Sequence, residues 1–132
     1  MKRIVNADPY GKVALQGYDP VTFHTLGKAV KGDPYISAKH GEHIYFFASE
    51  ANKEVFTAHA EKYLPAYGGY CAYGVTLGVL APVEMETWEL VNGRLVLQYS
   101  LEIRKKFNEN KEANLAKADE GWAKITERLA GQ

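Results

Sequence analysis

Asn92-Gly93 sits between two runs rich in alternating apolar residues, Thr87 to Val91 and Arg94 to Tyr99, and nothing else in the chain restricts the fold so strongly. This dipeptide accepts left-handed backbone at both central positions of a two-residue turn, so the flanking runs are predicted to pair as antiparallel strands. Trp88 and Leu90 on one strand, with Leu95, Leu97 and Tyr99 on the other, would then share apolar faces. A two-stranded ribbon is not stable by itself, so those faces need a cover from the rest of the chain.

The cover is predicted to be helical. Ser100 can cap a helix carrying Ile103 and Phe107, and Asn108 to Asn110 interrupt it. Leu115, Ala118, Trp122, Ile125 and Leu129 then recur at 3-4-3-4 spacing, one apolar stripe that packs most simply on the domain's own sheet. Upstream, Lys12 to Gln16 reads as a short strand. Asp19 as N-cap and Pro20 at the first helical position open one or two turns over Val21 to Leu26, closed by Gly27. Pro34 to Ala38 and His43 to Phe47 form a second hairpin around a four-residue loop, Lys39 to Glu42. Ser49 caps a helix that ends near Leu64-Pro65, with Val55, Phe56, His59 and Ala60 on its inner or boundary side. The expected fold class is α+β: a small single domain, residues 12–129, with two antiparallel β-hairpins packed against three or four helices. Residues 1–11 are expected to be a flexible N-terminal extension.

Composition narrows function by exclusion. Sixteen Lys and Arg balance sixteen Asp and Glu, so no basic face argues for nucleic acid. Leu64 to Leu90 contains neither Lys nor Arg, although it holds the densest tyrosines, and single-strand binders interleave the two. The longest apolar run, Tyr70 to Val83, is broken by glycines, Thr76 and Pro82, so membrane insertion is not expected. Lys2-Arg3 is followed by no apolar segment of the kind that marks an export signal. The chain is therefore read either as cytoplasmic or as lacking a signal that lay upstream. Hydrolase elbows, phosphate loops, dinucleotide glycine fingerprints and zinc-protease helices have no counterpart in the sequence.

What remains is a thiol, four histidines and a cluster of tyrosines. Cys71 follows Tyr67-Gly68-Gly69-Tyr70 and precedes helix-compatible Ala72 to Leu77, a placement in which a helix N-terminus would stabilise a thiolate. Such a thiolate is a nucleophile and a soft metal ligand; the alternative is a small buried hydrophobe. His24, His40, His43 and His59 show no metal-ligand spacing, and His24, in the capped turn after Gly17-Tyr18-Asp19-Pro20, is the best placed to approach another loop. Tyr18, Asp19, Tyr67, Tyr70 and Tyr73 are candidates to line a pocket.

The order Gly17-Tyr18-Asp19-Pro20-Val21, Gly27-Lys28-Ala29-Val30-Lys31-Gly32, Tyr45-Phe46-Phe47-Ala48-Ser49 and Tyr67-Gly68-Gly69-Tyr70-Cys71-Ala72-Tyr73-Gly74 resembles the YHS-domain family. Trp88, the Asn92-Gly93 turn, Leu95 to Tyr99 and Ala116-Lys117-Ala118-Asp119 before Trp122 extend the resemblance, to its single-domain bacterial form, over about residues 12 to 125. The resemblance implies metal binding, copper above all, through Cys71, with His24 and then His59 as further ligands, and it favours export. Two chains sharing one metal through their single thiols would form a homodimer. A metal module of this kind needs no catalysis. Two alternatives stand beside it: a thiol enzyme or redox sensor using Cys71, and a non-catalytic module that binds a small ligand or partner in a tyrosine-lined pocket.

Overall fold

A computed structural model describes residues 4–131. The Asn92-Gly93 turn forms as expected, with φ of 53° and 77°, and joins β3 (Glu84–Val91) to β4 (Arg94–Gln98). Val91 pairs with Arg94 and Leu90 with Leu95, but the register shifts between Glu84 and Glu89. β3 still alternates, but in the opposite phase to the one expected: Met85, Thr87 and Val91 are buried and Leu90 is exposed, as is Tyr99 beyond β4. Leu95, Val96, Leu97 and Gln98 are all buried, because β4 runs between two apolar clusters. Leu95 and Leu97 join Phe23, Tyr45, Phe47 and Phe56. Val96 joins Val75, Phe107, Leu115, Ala118 and Ile125. β4 is thus the central element, covered on both faces, and its run of four buried residues is what two-sided burial requires.

The second hairpin pairs β1 (Asp33–His40) with β2 (His43–Phe47), and His40 lies opposite His43. Its turn is two residues, Gly41-Glu42, rather than four. Gly41, at φ 62°, takes the first central position of a tight turn, which lets Lys39 and His40 zip into the ladder.

The expected strand over Lys12 to Gln16 shrinks to isolated bridges, Val13 with Ile44 and Ala14 with Ala7. Leu15 and Gln16 both turn left-handed, at φ 54°, and form a 3-10 turn, Leu15–Gly17, that stops the extended run. The next helix, α1 (Thr22–Thr25), starts two residues later than expected: Asp19 Oδ1 accepts the Val21 N–H (2.7 Å), and Pro20 and Val21 form the turn that leads in.

Six helices are assigned among the described residues, more than the three or four expected, because the segment after Ser49 divides at His59 and the segment after Ser100 divides at Asn110. Ser49 Oγ accepts the Asn52 N–H and caps α2 (Glu50–Ala58), but the backbone breaks at His59 (φ −139°, ψ 47°) before α3 (Ala60–Tyr63). Of the expected inner row only Phe56 is buried; Val55 and His59 are exposed. A 3-10 turn, Ala66–Gly69, leads to α4 (Ala72–Thr76). Ser100 caps α5 (Leu101–Glu109), Asn110 breaks the backbone, and α6 (Lys111–Ala130) buries Leu115, Ala118 and Ile125 mainly against α4. Its stripe therefore packs within the domain. No helix among the described residues is long and apolar enough to cross a membrane.

The N-terminal segment departs from a flexible extension from residue 4 onward. The Asn6 N–H donates to Gly68 O (2.8 Å), Asn6 Nδ2 to Gly69 O (3.3 Å) and the Tyr70 hydroxyl to Val5 O (3.4 Å). Gly68 makes this docking possible: it is left-handed (φ 61°), and a Cβ there would stand 2.1 Å from Ile4 O. Residues 1–3 of the expected extension lie outside the described residues.

Candidate functional site

Cys71 is at the N-terminus of α4, where the sequence placed it, but its sulfur is enclosed. The residue is 1% exposed. The Gly74 N–H donates to Sγ (3.4 Å), and the thiol donates to Gln98 Oε1 (3.5 Å). Gln98 Oε1 also accepts the Tyr73 N–H (3.0 Å), and the Gln98 backbone is held on both sides by Thr87 Oγ1. The sulfur therefore caps a short helix inside the core, a structural use of a cysteine. Native protein should react with an aromatic disulfide reagent only as fast as the core opens, with labelling accelerating through the urea transition. Stoichiometric labelling within seconds in native buffer would contradict this enclosure and favour a thiol-based activity.

The hydrogen bonds described for that sulfur go to Gln98 and Gly74, with no histidine among these partners. His24, on α1, sets its ring edge-on to Tyr63 at 5.2 Å, and its Nε2 is buried without a partner. Burial, and then the nearby Lys62 charge, lower its pKa and keep it neutral. His59 is exposed at the break between α2 and α3, because the chain turns there instead of continuing the helix. Among the described residues no three of His, Cys, Asp and Glu assemble into a metal-binding group.

The proposed tyrosine pocket also divides. Tyr18 pairs with Lys31, whose ammonium lies 4.8 Å from its ring centroid. Asp19 is wholly buried, and its carboxylate accepts from Val21 N, Ala48 N and Asn52 Nδ2. Tyr70 holds the N-terminal segment, and Tyr73 lies between the two core clusters. The left-handed run Tyr67-Gly68-Gly69 turns the chain between Tyr67 and Tyr70, and only Tyr67 of the five lines the large cleft.

That cleft has a volume of about 1210 Å³. Ile4 and Val5 form one side, Leu64, Pro65 and Ala66 a second, and Trp122, Thr126 and Leu129 on α6 a third. Tyr67 and Arg94 complete it, with Glu61 and Lys62 from α3. Tyr67 adopts φ 57°, ψ 35°, a strained region for a bulky residue, and this aims its ring at α6. Its hydroxyl donates to Asp119 Oδ1 (2.9 Å), and its ring meets Trp122 at 6.1 Å. Arg94 grips both Asp119 oxygens, at 2.9 and 3.2 Å, and its guanidinium carbon lies 5.3 Å from the Tyr67 ring centroid. Burial, followed by the Asp119 hydrogen bond, pushes the Tyr67 phenol far above its ordinary range, so it stays a neutral donor. The Arg94 hydrogen bond holds Asp119 below the usual carboxylate range, and the pair stays ionised.

Sequence reading found Tyr67 but missed Arg94, Lys62 and the cleft role of Trp122. The available signal was weak: Trp122 is the single aromatic on an otherwise aliphatic helical stripe. Set against protein-family models, curated proteins and solved structures, the chain matches none of them.

Proposed function

We propose that this domain is a non-catalytic binding module whose cleft, floored by Tyr67 and walled by α6, takes a small and largely apolar molecule. One observation carries the reading: an open space of about 1210 Å³ lined by Trp122, Leu129, Leu64 and Pro65, with a few polar groups at fixed positions. Small-molecule sites have this composition, apolar walls with sparse oriented donors, and a size of this order. Backbone strain at Tyr67 is a second support, since left-handed bulky residues persist where the surroundings hold them for a purpose. The metal and thiol readings rest on the family resemblance and on Cys71, whose sulfur is closed to solvent.

A neutral fluorophore tests this directly. N-phenyl-1-naphthylamine should bind native protein saturably and one-to-one, with energy transfer from tryptophan, and Leu129→Glu should weaken binding at least tenfold by placing a charge in the apolar wall. Non-saturable uptake, or uptake that Leu129→Glu leaves unchanged, would reject the cleft as the site.

A further inference from the structure

One wall of the cleft is held differently from the others. Trp122 and Leu129 stand on the twenty-residue α6, and Leu64 and Pro65 follow α3, whereas Ile4 and Val5 belong to a short extended segment and are half-buried. That segment is anchored to a single loop: the Asn6 N–H reaches Gly68 O, Asn6 Nδ2 reaches Gly69 O, and the Tyr70 hydroxyl reaches Val5 O. The chain is pinned again directly afterwards, where Ala7 bridges Ala14 and the Asp8 N–H donates to Val13 O (3.0 Å). A segment held by a few local bonds opens at low free-energy cost, well below that of the core. A molecule seated in the cleft touches both this segment and the helical walls, so it adds contacts that exist only while the segment is docked.

Resting on the binding reading above, we propose that residues 4–6 are a strap whose docking on the Gly68–Tyr70 loop is coupled to occupancy of the cleft: a bound molecule holds the strap down, and the docked strap holds the molecule in. The coupling is reciprocal, so a change that loosens the strap weakens the ligand by the same factor that the ligand tightens the strap. Asn6 and Tyr70, neither of which lines the cleft, are then positioning residues for its N-terminal wall. Gly68 is the seat, because only the absence of a Cβ admits Ile4 O.

Hydrogen exchange on the full chain, with and without saturating N-phenyl-1-naphthylamine, tests the coupling. The Asn6 amide, bonded to Gly68 O, is expected to exchange about fivefold slower with the probe bound, while the Lys12 amide, bonded to Asp8 O in the turn beyond the strap, keeps its rate. Asn6→Ala combined with Tyr70→Phe, which trims two bonds of the strap and leaves the cleft lining unchanged, should weaken probe binding about threefold. Gly68→Ala, whose methyl group meets Ile4 O, should weaken it about tenfold. If Gly68→Ala does not fold, the double variant and the Asn6 amide decide. An Asn6 amide indifferent to saturably bound probe, or a double variant that binds with the parent's affinity, would overturn the strap while the cleft reading stood. Absence of saturable probe binding would instead bring down the cleft reading and this proposal with it.

Discussion

Gly121→Ala should lower the stability of this domain by about 2 kcal/mol, although helix propensity alone would raise it by about 1 kcal/mol. The reversal comes from what the residue faces. Gly121 lies within α6, and a Cβ there would stand 2.3 Å from Val75 O and 3.2 Å from Val75 C. Both atoms are backbone, so no side-chain rotation relieves the contact. The carbonyl is also held in place, because it accepts the Gly78 N–H at 3.0 Å inside the turn that ends α4. Relief therefore requires α6 to withdraw from α4, which loosens Ala118 and Ile125 in the cluster beneath β4. A urea titration should show a lower midpoint at unchanged slope. Ala123→Gly, on the exposed side of the same helix, should lose only about 1 kcal/mol, for propensity reasons. Trp122 is the neighbour of Gly121, so the shifted helix should also weaken binding of the naphthylamine probe. A Gly121→Ala protein as stable as the parent would show that α4 and α6 are not in the close contact described.

Local signals were legible in the sequence, and assembled ones were not. The Asn92-Gly93 turn, the Ser49 and Ser100 caps and the interruption at Asn110 each depend on a few adjacent residues, and each forms as expected. The left-handed backbone at Leu15 and Gln16 has no local cause: Leu15 is buried in the first cluster and Gln16 Nε2 donates to Val83 O (2.9 Å), so tertiary contacts override the extended preference. Cys71 shows the division within one residue. Its place at a helix start followed from the glycines before it, but its enclosure depends on Gln98, which arrives from the far hairpin. The cleft is the extreme case, being built from residues near 4, 62, 67, 94 and 122 that no window of sequence brings together.

Asp19→Ala should destabilise the domain by about 3–5 kcal/mol, and Asp19→Asn by about 2–3 kcal/mol, a large share of what a domain this size possesses. At an exposed helix start, Asn replaces Asp with little loss, because one oxygen suffices to cap. Asp19 is different. It is completely buried, and both carboxylate oxygens are committed: Oδ1 to Val21 N at 2.7 Å, Oδ2 to Ala48 N and to Asn52 Nδ2, both at 2.8 Å. Asparagine can satisfy one side only, since its amide NH2 would face donors at the other and leave them unpaired. Alanine abandons all three. These donors belong to the turn before α1, the end of β2 and the first turn of α2, so the carboxylate ties three segments across the first cluster. Its loss should loosen all three together, which hydrogen exchange would register as faster exchange at Val21, Ala48 and Asn52 in Asp19→Asn under native conditions. If Asp19→Asn instead unfolded at the parent's urea midpoint with those amides equally protected, the carboxylate would be an ordinary cap, and the junction of α1, β2 and α2 would rest on apolar packing alone.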